Sequence, residues 1–337
     1  IGYDLNNNAA INLFSRFTKS KSDYDQFGGI LGDDPTYIFK QEEFFLRTEA
    51  KVKLLDNNWN QKVGVSFIRN VRKYSFDTSA ASAYYSNSLY DGRKYKLDWQ
   101  NDFTLSKSNL FTIGAELEFD KASSEYYSYN YILLPDYASV IPMKDTRTIG
   151  VYLQDQLKFD EALFITAGVR LDDHNKFGSQ FTYRIAPAFI LWETGTKIKA
   201  TVGTGFKAPS LFYLYDPAYG NENLNPEKSF AWDFGIEQFL FTQNLSFGST
   251  FFYNKFTDMF GFDYVTFKTI NINKAVTKGA EVFLHSKLFD DLELKINYTF
   301  TEAKDISPNS ADFNKKLLRR PESKIGFYTN YTFNDKA

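Results

Sequence analysis

The stretch LFTIGAELEFD (residues 110–120) alternates between two kinds of side chain. Successive side chains of a β-strand point to opposite faces, so every second residue shares a face. The apolar face carries Phe111, Ile113, Ala115, Leu117 and Phe119. The polar face carries Thr112, Gly114, Glu116, Glu118 and Asp120. The segment therefore predicts a strand with an apolar environment on one side and water on the other.

The same alternation recurs along the chain, and helical periodicity is weak throughout. Clear examples are KYKLDWQNDFTL (94–105), LFITAGVRLD (163–172), LELKINYTF (292–300) and KIGFYTNYTFN (324–334). These segments run for about 10 residues, which is enough for a tilted strand to cross a bilayer. Strands of soluble proteins are shorter, about 5–6 residues. A soluble β-sandwich or propeller is the alternative, but the strand length favours a membrane barrel.

The connections between these segments alternate in length. Short ones lie at 56–59, 107–109, 161–162, 193–196, 242–244 and 290–291. Long polar ones lie at 20–38, 74–93, 121–145, 172–179, 207–228, 258–268 and 304–317. Seven long loops predict about 14 complete strands, with residues 1–3 as the tail of an earlier one. Short periplasmic turns and long extracellular loops are typical of an antiparallel transmembrane β-barrel.

Composition excludes several other classes of protein. The net charge of −2 gives no general attraction to nucleic acid. The chain has no Cys, so neither a disulfide framework nor a cysteine zinc site is available. No apolar run is long enough for a transmembrane helix. With two His and no Cys, no nucleophile with a positioned base is visible. The composition therefore does not indicate an enzyme.

Three motifs carry a resemblance to a known family. The segment GTGFKAPSLFYLYDPAYGNENLNPEKS (203–229) resembles the mid-barrel segment of TonB-dependent outer-membrane receptors. NKAVTKGAEVFL (273–284) and LLRRPESKIGFYTNYTF (317–333) resemble later strands of that family, in the expected order. The cobalamin-receptor-like branch is the nearest subgroup. The first motif also has a structural interpretation, in which Pro209 and Pro226 bound a loop and Lys207 pairs with Glu227.

The resemblance implies a 22-strand barrel with an N-terminal plug domain and a TonB box. Residues 1–337 are then a partial barrel of about 14 strands, without the plug and the terminal strands. The implied function is TonB-dependent uptake of a siderophore–iron complex or cobalamin across the outer membrane of a Gram-negative-type bacterium. Its implied partners are TonB, outer-membrane lipid and a small metal chelate, with the receptor a monomer. A natural 14-strand barrel and a passive diffusion porin are the alternatives.

Tyrosines of the predicted loops are the candidate ligand contacts, because Tyr offers a flat apolar face and a hydrogen-bonding tip. They are Tyr84, Tyr85, Tyr90, Tyr126, Tyr127, Tyr129, Tyr131, Tyr213, Tyr215 and Tyr219, with Tyr137 beside them. An aromatic girdle at the membrane–water interface is the alternative interpretation for each of them.

A metal site is a second candidate. Four clustered carboxylates offer the hard oxygen ligands that calcium prefers, although they do not match EF-hand spacing. They are Asp23, Asp25, Asp33 and Asp34. A solvated acidic loop is the alternative, and no cofactor is required by the fold. Haem ranks below the other ligands, because His174 and His285 are the only histidines. His174, in a short predicted external loop, is the one plausible loop ligand for haem iron, and His285 is predicted to face the lumen. An ordinary solvated imidazole is the favoured interpretation of each.

Overall fold

The structure is a computed structural model. It describes residues 1–23, 36–79, 83–130, 134–240, 244–288, 291–308 and 310–333. In chain order the elements are β1 (Gly2–Asn6), β2 (Ala9–Asp23), β3 (Ile38–Leu54), β4 (Trp59–Phe76), β5 (Tyr84–Ser106), β6 (Asn109–Asn130), β7 (Leu134–Phe159), β8 (Leu163–His174), β9 (Gly178–Leu191), β10 (Thr196–Lys207), α1 (Leu211–Tyr215), β11 (Glu227–Leu240), β12 (Leu245–Asp263), β13 (Lys268–Leu288), β14 (Leu292–Asp305) and β15 (Ser323–Tyr331). Among the described residues, no helix is both long enough and apolar enough to cross a membrane.

The strands form one antiparallel sheet in which each strand pairs with its neighbours in sequence. The predicted all-β, up-and-down architecture is confirmed, and the expected tail of an earlier strand is β1. Within the described residues, β1 pairs with β2 alone and β15 with β14 alone. The sheet is therefore an open, curved wall of fifteen strands.

One face of the wall carries a continuous apolar band. Trp99 lies opposite Val63 on one neighbouring strand and Ala115 on the other. The same row continues through Val151 to Leu171. Trp99 is 47% exposed and Val151 is 48% exposed, so this face is not packed into a core. A one-residue slip would turn every one of these side chains to the other face, so the pairing register itself maintains the band.

The opposite face of the wall carries rows of paired charged side chains, called the charged ladder below, and glycines leave space for them. Gly64 lies opposite Asp98, and the Arg47 guanidinium lies over that glycine to donate to Asp98 at 2.7 Å. Gly150 lies opposite Glu116 in the same way, and Arg170 crosses it to reach Glu116 at 2.7 Å. A Cβ on either glycine would collide with the guanidinium above it. These arginines therefore bridge strands that are two apart in the sheet.

The height of the wall varies along the sheet, and β12 and β13, with 19 and 21 residues, are also long. The tall wall consists of β4, β5, β6 and β7, with 18, 23, 22 and 26 residues. The short wall consists of β8, β9 and β10, with 12, 14 and 12 residues. At roughly 3.3 Å per residue, β7 is about 86 Å long and β8 about 40 Å. A tilted strand needs only about 9–11 residues to cross a bilayer. The upper part of the tall wall therefore lies outside the membrane.

This height shifts the boundaries of three predicted loops. Much of 74–93 and 121–145 is strand, since β4 ends at Phe76 and β5 begins at Tyr84, while β6 ends at Asn130 and β7 begins at Leu134. The segment 258–268 is likewise strand except for 264–267. In these upper strand segments both faces carry Tyr and Ser, so the two faces do not differ in polarity. The hydropathy pattern therefore does not reveal the strands. The predicted loop at 207–228 is confirmed, since β10 ends at Lys207 and β11 begins at Glu227.

Candidate functional site

The loop between β10 and β11 folds inward and places helix α1 against β6 and β7. Ser210 caps the helix, because its hydroxyl accepts a hydrogen bond from the backbone N–H of Tyr213 at 3.1 Å. Leu211 and Leu214 turn toward the wall and are buried. The helix stops after one turn because Asp216 precedes a proline, which disfavours helical backbone at the residue before it. The motif that predicted an external loop thus builds an inward-folded one.

Asp216 organises the turn after α1. Its Oδ1 accepts hydrogen bonds from the backbone N–H groups of Ala218 at 3.0 Å and Tyr219 at 2.8 Å. Ser139 on β7 donates to its Oδ2 at 3.3 Å, and both side chains are buried. A Cβ at Gly220 would lie 2.6 Å from the Asp216 backbone nitrogen, so this position has no space for a side chain. The DPAYG sequence is therefore a turn that is attached to the tall wall.

The second half of the loop is attached to the β12–β13 hairpin. Asn221 Nδ2 donates to the Thr269 carbonyl at 2.9 Å. Asn225 and Asn271 exchange two hydrogen bonds, of 2.7 and 2.9 Å. Leu224 is 3% exposed between these contacts. The asparagines of the motif thus connect the loop to the wall on the far side of the short strands.

The base of the loop is closed by the pair that the sequence predicts. Lys207 Nζ lies 3.3 Å from Glu227 Oε2, and the two residues face each other across β10 and β11. The other carboxylate oxygen of Glu227 accepts the backbone N–H of Phe260 at 2.8 Å. Lys207 also lies 5.4 Å from the centre of the Phe260 ring. These contacts support the loop-closing interpretation of the motif.

Two lysines enclose the ring of Tyr215 at the end of α1. Lys176 Nζ lies 4.4 Å from the ring centre and Lys144 Nζ lies 4.7 Å from it, both within cation–π range. Lys176 also donates to the Tyr215 hydroxyl at 3.1 Å and to Glu222 at 2.9 Å. Burial disfavours its charge, but the hydrogen bonds to Glu222 and Tyr215 outweigh that effect and raise the pKa of Lys176. The β8–β9 turn is thereby joined to the loop.

Two cavities lie between α1 and the inner face of the tall wall. The larger has a volume of about 720 Å³ and is lined by charged groups of the ladder, among them Lys94 and Glu116. The smaller has a volume of about 610 Å³ and is lined by Tyr90 and Arg72, with Tyr74 and Asn70 beside them. Leu211 and Phe212 line both cavities. Helix α1 therefore separates an ionic chamber from an aromatic one above it.

The structure divides the predicted tyrosines between the two faces of the wall. Tyr84, Tyr90 and Tyr126 share the face of the charged ladder, and the hydroxyls of Tyr84 and Tyr126 are 2.6 Å apart. Tyr137 joins them, with its ring 5.9 Å from that of Tyr126. Among the described tyrosines of this set, Tyr90 lines a cavity near α1.

Three predicted tyrosines lie on the outer face. The Tyr85 ring stacks on that of Tyr129 at 4.8 Å, and Tyr127 donates to Asp136 at 2.9 Å. These three side chains cannot contact a ligand inside the wall. The sequence pattern does not distinguish them from the inner tyrosines, because it predicts loops where the structure has strands, and a predicted loop does not assign side chains to an inner or outer face.

The remaining predicted tyrosines are in or near the inward loop. Tyr213 and Tyr219 make edge-on contacts with Phe260 and Phe262, at 5.5 and 5.7 Å. Tyr215 is held between the two lysines described above. Tyr131 lies outside the described residues. Loop tyrosines therefore pack largely against other parts of the protein.

The acidic cluster falls mostly outside the described residues. Asp23 ends β2 and lies 3.4 Å from Lys21, whereas Asp25, Asp33 and Asp34 belong to the segment that is not described. Across the described part of the chain, no group of three or more potential metal ligands is found. The calcium site stays a prediction.

The two histidines have structural contacts. His174 is 5% exposed rather than solvated, and its Nδ1 accepts the backbone N–H of Lys176 at 3.1 Å, which closes the β8–β9 turn. His285 lies opposite Lys295 and its Nε2 is 2.9 Å from Glu293, on the face of the charged ladder.

The residues that shape the cavities have no signal in the local sequence pattern. The glycine–arginine pairs of the ladder, Gly64 with Arg47 and Gly150 with Arg170, are 17 and 20 positions apart in the sequence, and only the register brings them together. Phe212 was passed over because it lies among tyrosines. The Asp-Pro and Pro-Glu dipeptides of the loop indicate a compact turn rather than an open loop. They could have predicted that the loop folds inward.

An exposed apolar outer face, a charged inner face and an inward-folded loop define the wall of an outer-membrane barrel that encloses a site. The model of the family "TonB dependent receptor-like, beta-barrel" matches residues 2–336. The chain belongs to this family, whose members are proteins of the Gram-negative outer membrane.

Solved structures of receptors share the fold at low sequence identity. The ferripyoverdine receptor of Pseudomonas aeruginosa superposes with a TM-score of 0.73 at 15% identity, over 99% of this chain and 52% of that one. The siderophore receptor PirA from Acinetobacter baumannii gives 0.76 at 16%, over 99% and 55%. The ferric yersiniabactin uptake receptor FyuA from Yersinia pestis gives 0.76 at 13%, over 98% and 54%. The chain thus spans about half the length of these receptors.

Proposed function

We propose that this chain is the ligand-capturing part of a TonB-dependent importer that takes up a siderophore–iron complex. The observation that carries the proposal is the pair of cavities between helix α1 and the inner face of the tall wall. The smaller, aromatic cavity lies where the wall rises above the membrane, so a ligand arriving from outside meets it before the larger, ionic cavity below it. The family supports nutrient uptake across the outer membrane, and the similar solved receptors include several for ferric siderophores.

The aromatic chamber is the proposed contact site. It combines a cation, Arg72, with the aromatic rings of Tyr74 and Tyr90 and the exposed ring of Phe212. Ferric siderophore complexes are bulky, partly apolar and often anionic. Flat rings supply contact area, and an arginine supplies paired donors to carboxylate or catecholate oxygens. Cobalamin, which the motif resemblance also suggests, would use the same rings but has less need of the cation.

Transport of a ligand through the barrel requires a partner that supplies energy. We propose that TonB acts on a plug domain and TonB box in the full-length receptor, as the resemblance implies. The inner ladder of Arg47, Arg170 and their carboxylates is then the polar surface that faces the plug. Passive diffusion through an unplugged pore is the rival function.

The test uses the full-length receptor. It is purified in detergent and titrated with a panel of ferric siderophores and cobalamin, with binding followed by quenching of tryptophan fluorescence. Uptake of the same iron-55 complexes is measured in cells with and without TonB. Saturable binding of a ferric siderophore with TonB-dependent uptake supports the proposal. Steady conductance in planar bilayers, with no saturable binding and no TonB dependence, would support the porin and overturn it.

A further inference from the structure

The inner face of the short wall carries an arginine without a carboxylate partner. Arg184 on β9 lies opposite Gly168 on β8 and Gly203 on β10, on the face of the charged ladder. Among the described residues, no carboxylate forms an ion pair with it, and the inner carboxylate of Asp233 is two strands away on β11. Arg184 is exposed. Its charge and its hydrogen-bond donors are therefore free to bind another molecule inside the barrel.

Cations beside Arg184 on the same face are neutralised within the wall. Arg170 on β8 lies 2.7 Å from Glu116, and Lys199 on β10 pairs with Glu237. The wall thus supplies carboxylates for these two cations but none for Arg184. A molecule that carries oxyanion groups would complete the pattern of paired charges.

Small residues leave space beside Arg184. Gly168 and Gly203 flank it, and Ala186 opposite Thr166 forms the next inner row toward the periplasm. The atoms nearest to a Cβ added at Gly168 belong to β7, so no guanidinium covers this glycine as one covers Gly150. A bulky group has room to approach the wall closely at this point.

Arg184 lies directly below the ionic chamber. Arg170, which lines that chamber, is opposite Thr182 on β9, and Arg184 is two residues further along β9 toward the periplasm. At about 3.3 Å per residue, this step is about 7 Å along the strand. Arg72 in the aromatic chamber likewise has no ion pair within the described part of the chain. An anion that enters past Arg72 and moves along the short wall therefore meets Arg184 next.

We propose that Arg184 binds an oxyanion group of the ferric siderophore as the complex passes the short wall toward the periplasm. This inference rests on the proposed function, and it makes Arg184 a specificity-determining residue for anionic complexes. Arginine donates two parallel hydrogen bonds to a carboxylate, and such charge-assisted bonds are stronger than neutral ones. A carboxylate from another part of the full-length receptor has the same chemistry, and the test separates the two sources.

Uptake by cells that carry the full-length receptor tests this proposal. The probes are iron-55 complexes, namely ferric enterobactin and ferric citrate, which are anionic, and ferrichrome, which is uncharged. The test variant is Arg184→Gln, and Arg184→Lys keeps the charge but loses the paired donors. The matched control is Lys53→Gln, which removes an exposed inner cation from β3, away from the short wall. Affinity is measured by tryptophan fluorescence and conductance in planar bilayers, both on the purified receptors.

Arg184→Gln is expected to slow TonB-dependent uptake of an anionic probe roughly tenfold, as expected for the loss of a charge-assisted hydrogen bond. The affinity of the external site should stay unchanged, because Arg184 lies below both chambers. Arg184→Lys should recover part of the rate, and Lys53→Gln should match the wild type.

Equal uptake rates in Arg184→Gln and the wild type would overturn the proposal, as would an equal loss for ferrichrome. A steadily open conductance in Arg184→Gln would also overturn it, because Arg184 would then hold another segment of the receptor inside the barrel. If the wild type takes up ferrichrome alone, this inference fails while the proposed importer stands. If uptake of the probes does not depend on TonB, the proposed function itself fails.

Discussion

The tall wall and the short wall have the same alternation of apolar and polar side chains, but their upper ends lie in different surroundings. The strands of the short wall, of 12 to 14 residues, are little longer than a tilted bilayer crossing requires. Three strands of the tall wall have 22 to 26 residues. Both walls are apolar outside within the membrane. Above it, the tall wall has tyrosines and cations outside and a cavity inside, whereas the short wall ends in a tight turn.

The difference shows that hydrocarbon constrains only the lower part of each strand. Within the bilayer every outer position must be apolar, so the two walls look alike. Above the bilayer both faces meet water or other parts of the protein, so the outer positions are no longer required to be apolar. The inward loop crosses from the short wall to the tall one and thereby joins the two regions.

The largest expected effect tests where the membrane ends on the tall wall. Val151→Arg on β7 and Val169→Arg on β8 should each destabilise the folded barrel by about 2–4 kcal/mol, because both place a cation in hydrocarbon. Val140→Arg, also outward on β7 but higher, should cost about 0–1 kcal/mol. Urea titration of the full-length receptor in lipid vesicles measures these values. An equal cost at Val140 and Val151 would mean that the upper tall wall is not outside the membrane.

A second prediction concerns the glycine spaces in the charged ladder. Gly150→Ala should displace the Arg170 guanidinium from Glu116 and cost about 1–3 kcal/mol, as expected for a lost charge-assisted hydrogen bond. Gly326→Ala is the matched control, because nothing lies within 4 Å of a Cβ at that position. The same urea titration applies. In a double-mutant cycle, Gly150→Ala should have little further effect once Arg170→Gln is present, and full additivity would contradict the assigned contact.

A third prediction compares the two faces of one strand of the tall wall. Tyr90→Ala, on the inner face, should weaken binding of the ferric siderophore about tenfold, as expected for a contact aromatic at a binding site. Tyr85→Ala, five residues away on the outer face, should leave the affinity unchanged. Fluorescence titration of the full-length receptor measures both. The aromatic chamber would lose its assigned role if the two substitutions had equal effects.

The smallest effect concerns pH at the connection between the short wall and the loop. The hydrogen bond from Lys176 lowers the pKa of Glu222 below its ordinary value of 4.5. A carboxyl whose pKa falls on folding stabilises the folded state above its unfolded pKa, and this contribution is lost as pH drops through the folded pKa. The protection factors of the loop amides, which are corrected for the intrinsic pH dependence of hydrogen exchange, should therefore fall below about pH 4.5. Glu222→Gln should remove that dependence, and an unchanged profile in this variant would refute the role of the ion pair.

Much of the fold could be predicted because hydrocarbon and water select side chains locally. The alternation in residues 110–120 needs no knowledge of any other strand. The pair Lys207 and Glu227 was also accessible, since a motif places them at the two ends of one loop. The strands around Tyr84, Tyr85 and Tyr127 were missed because polar residues on both faces remove the contrast that the prediction depends on.

The sequence by itself determined which face of each membrane-crossing strand meets lipid, roughly how many strands there are and the order in which they follow. Only the tertiary structure decided which residues share a row, because register joins positions tens of residues apart that no local pattern connects. The passage of Arg170 over Gly150 and the partition of the cavities by Phe212 both depend on that register. Local polarity selects the environment of a side chain, and pairing between distant strands selects its neighbours.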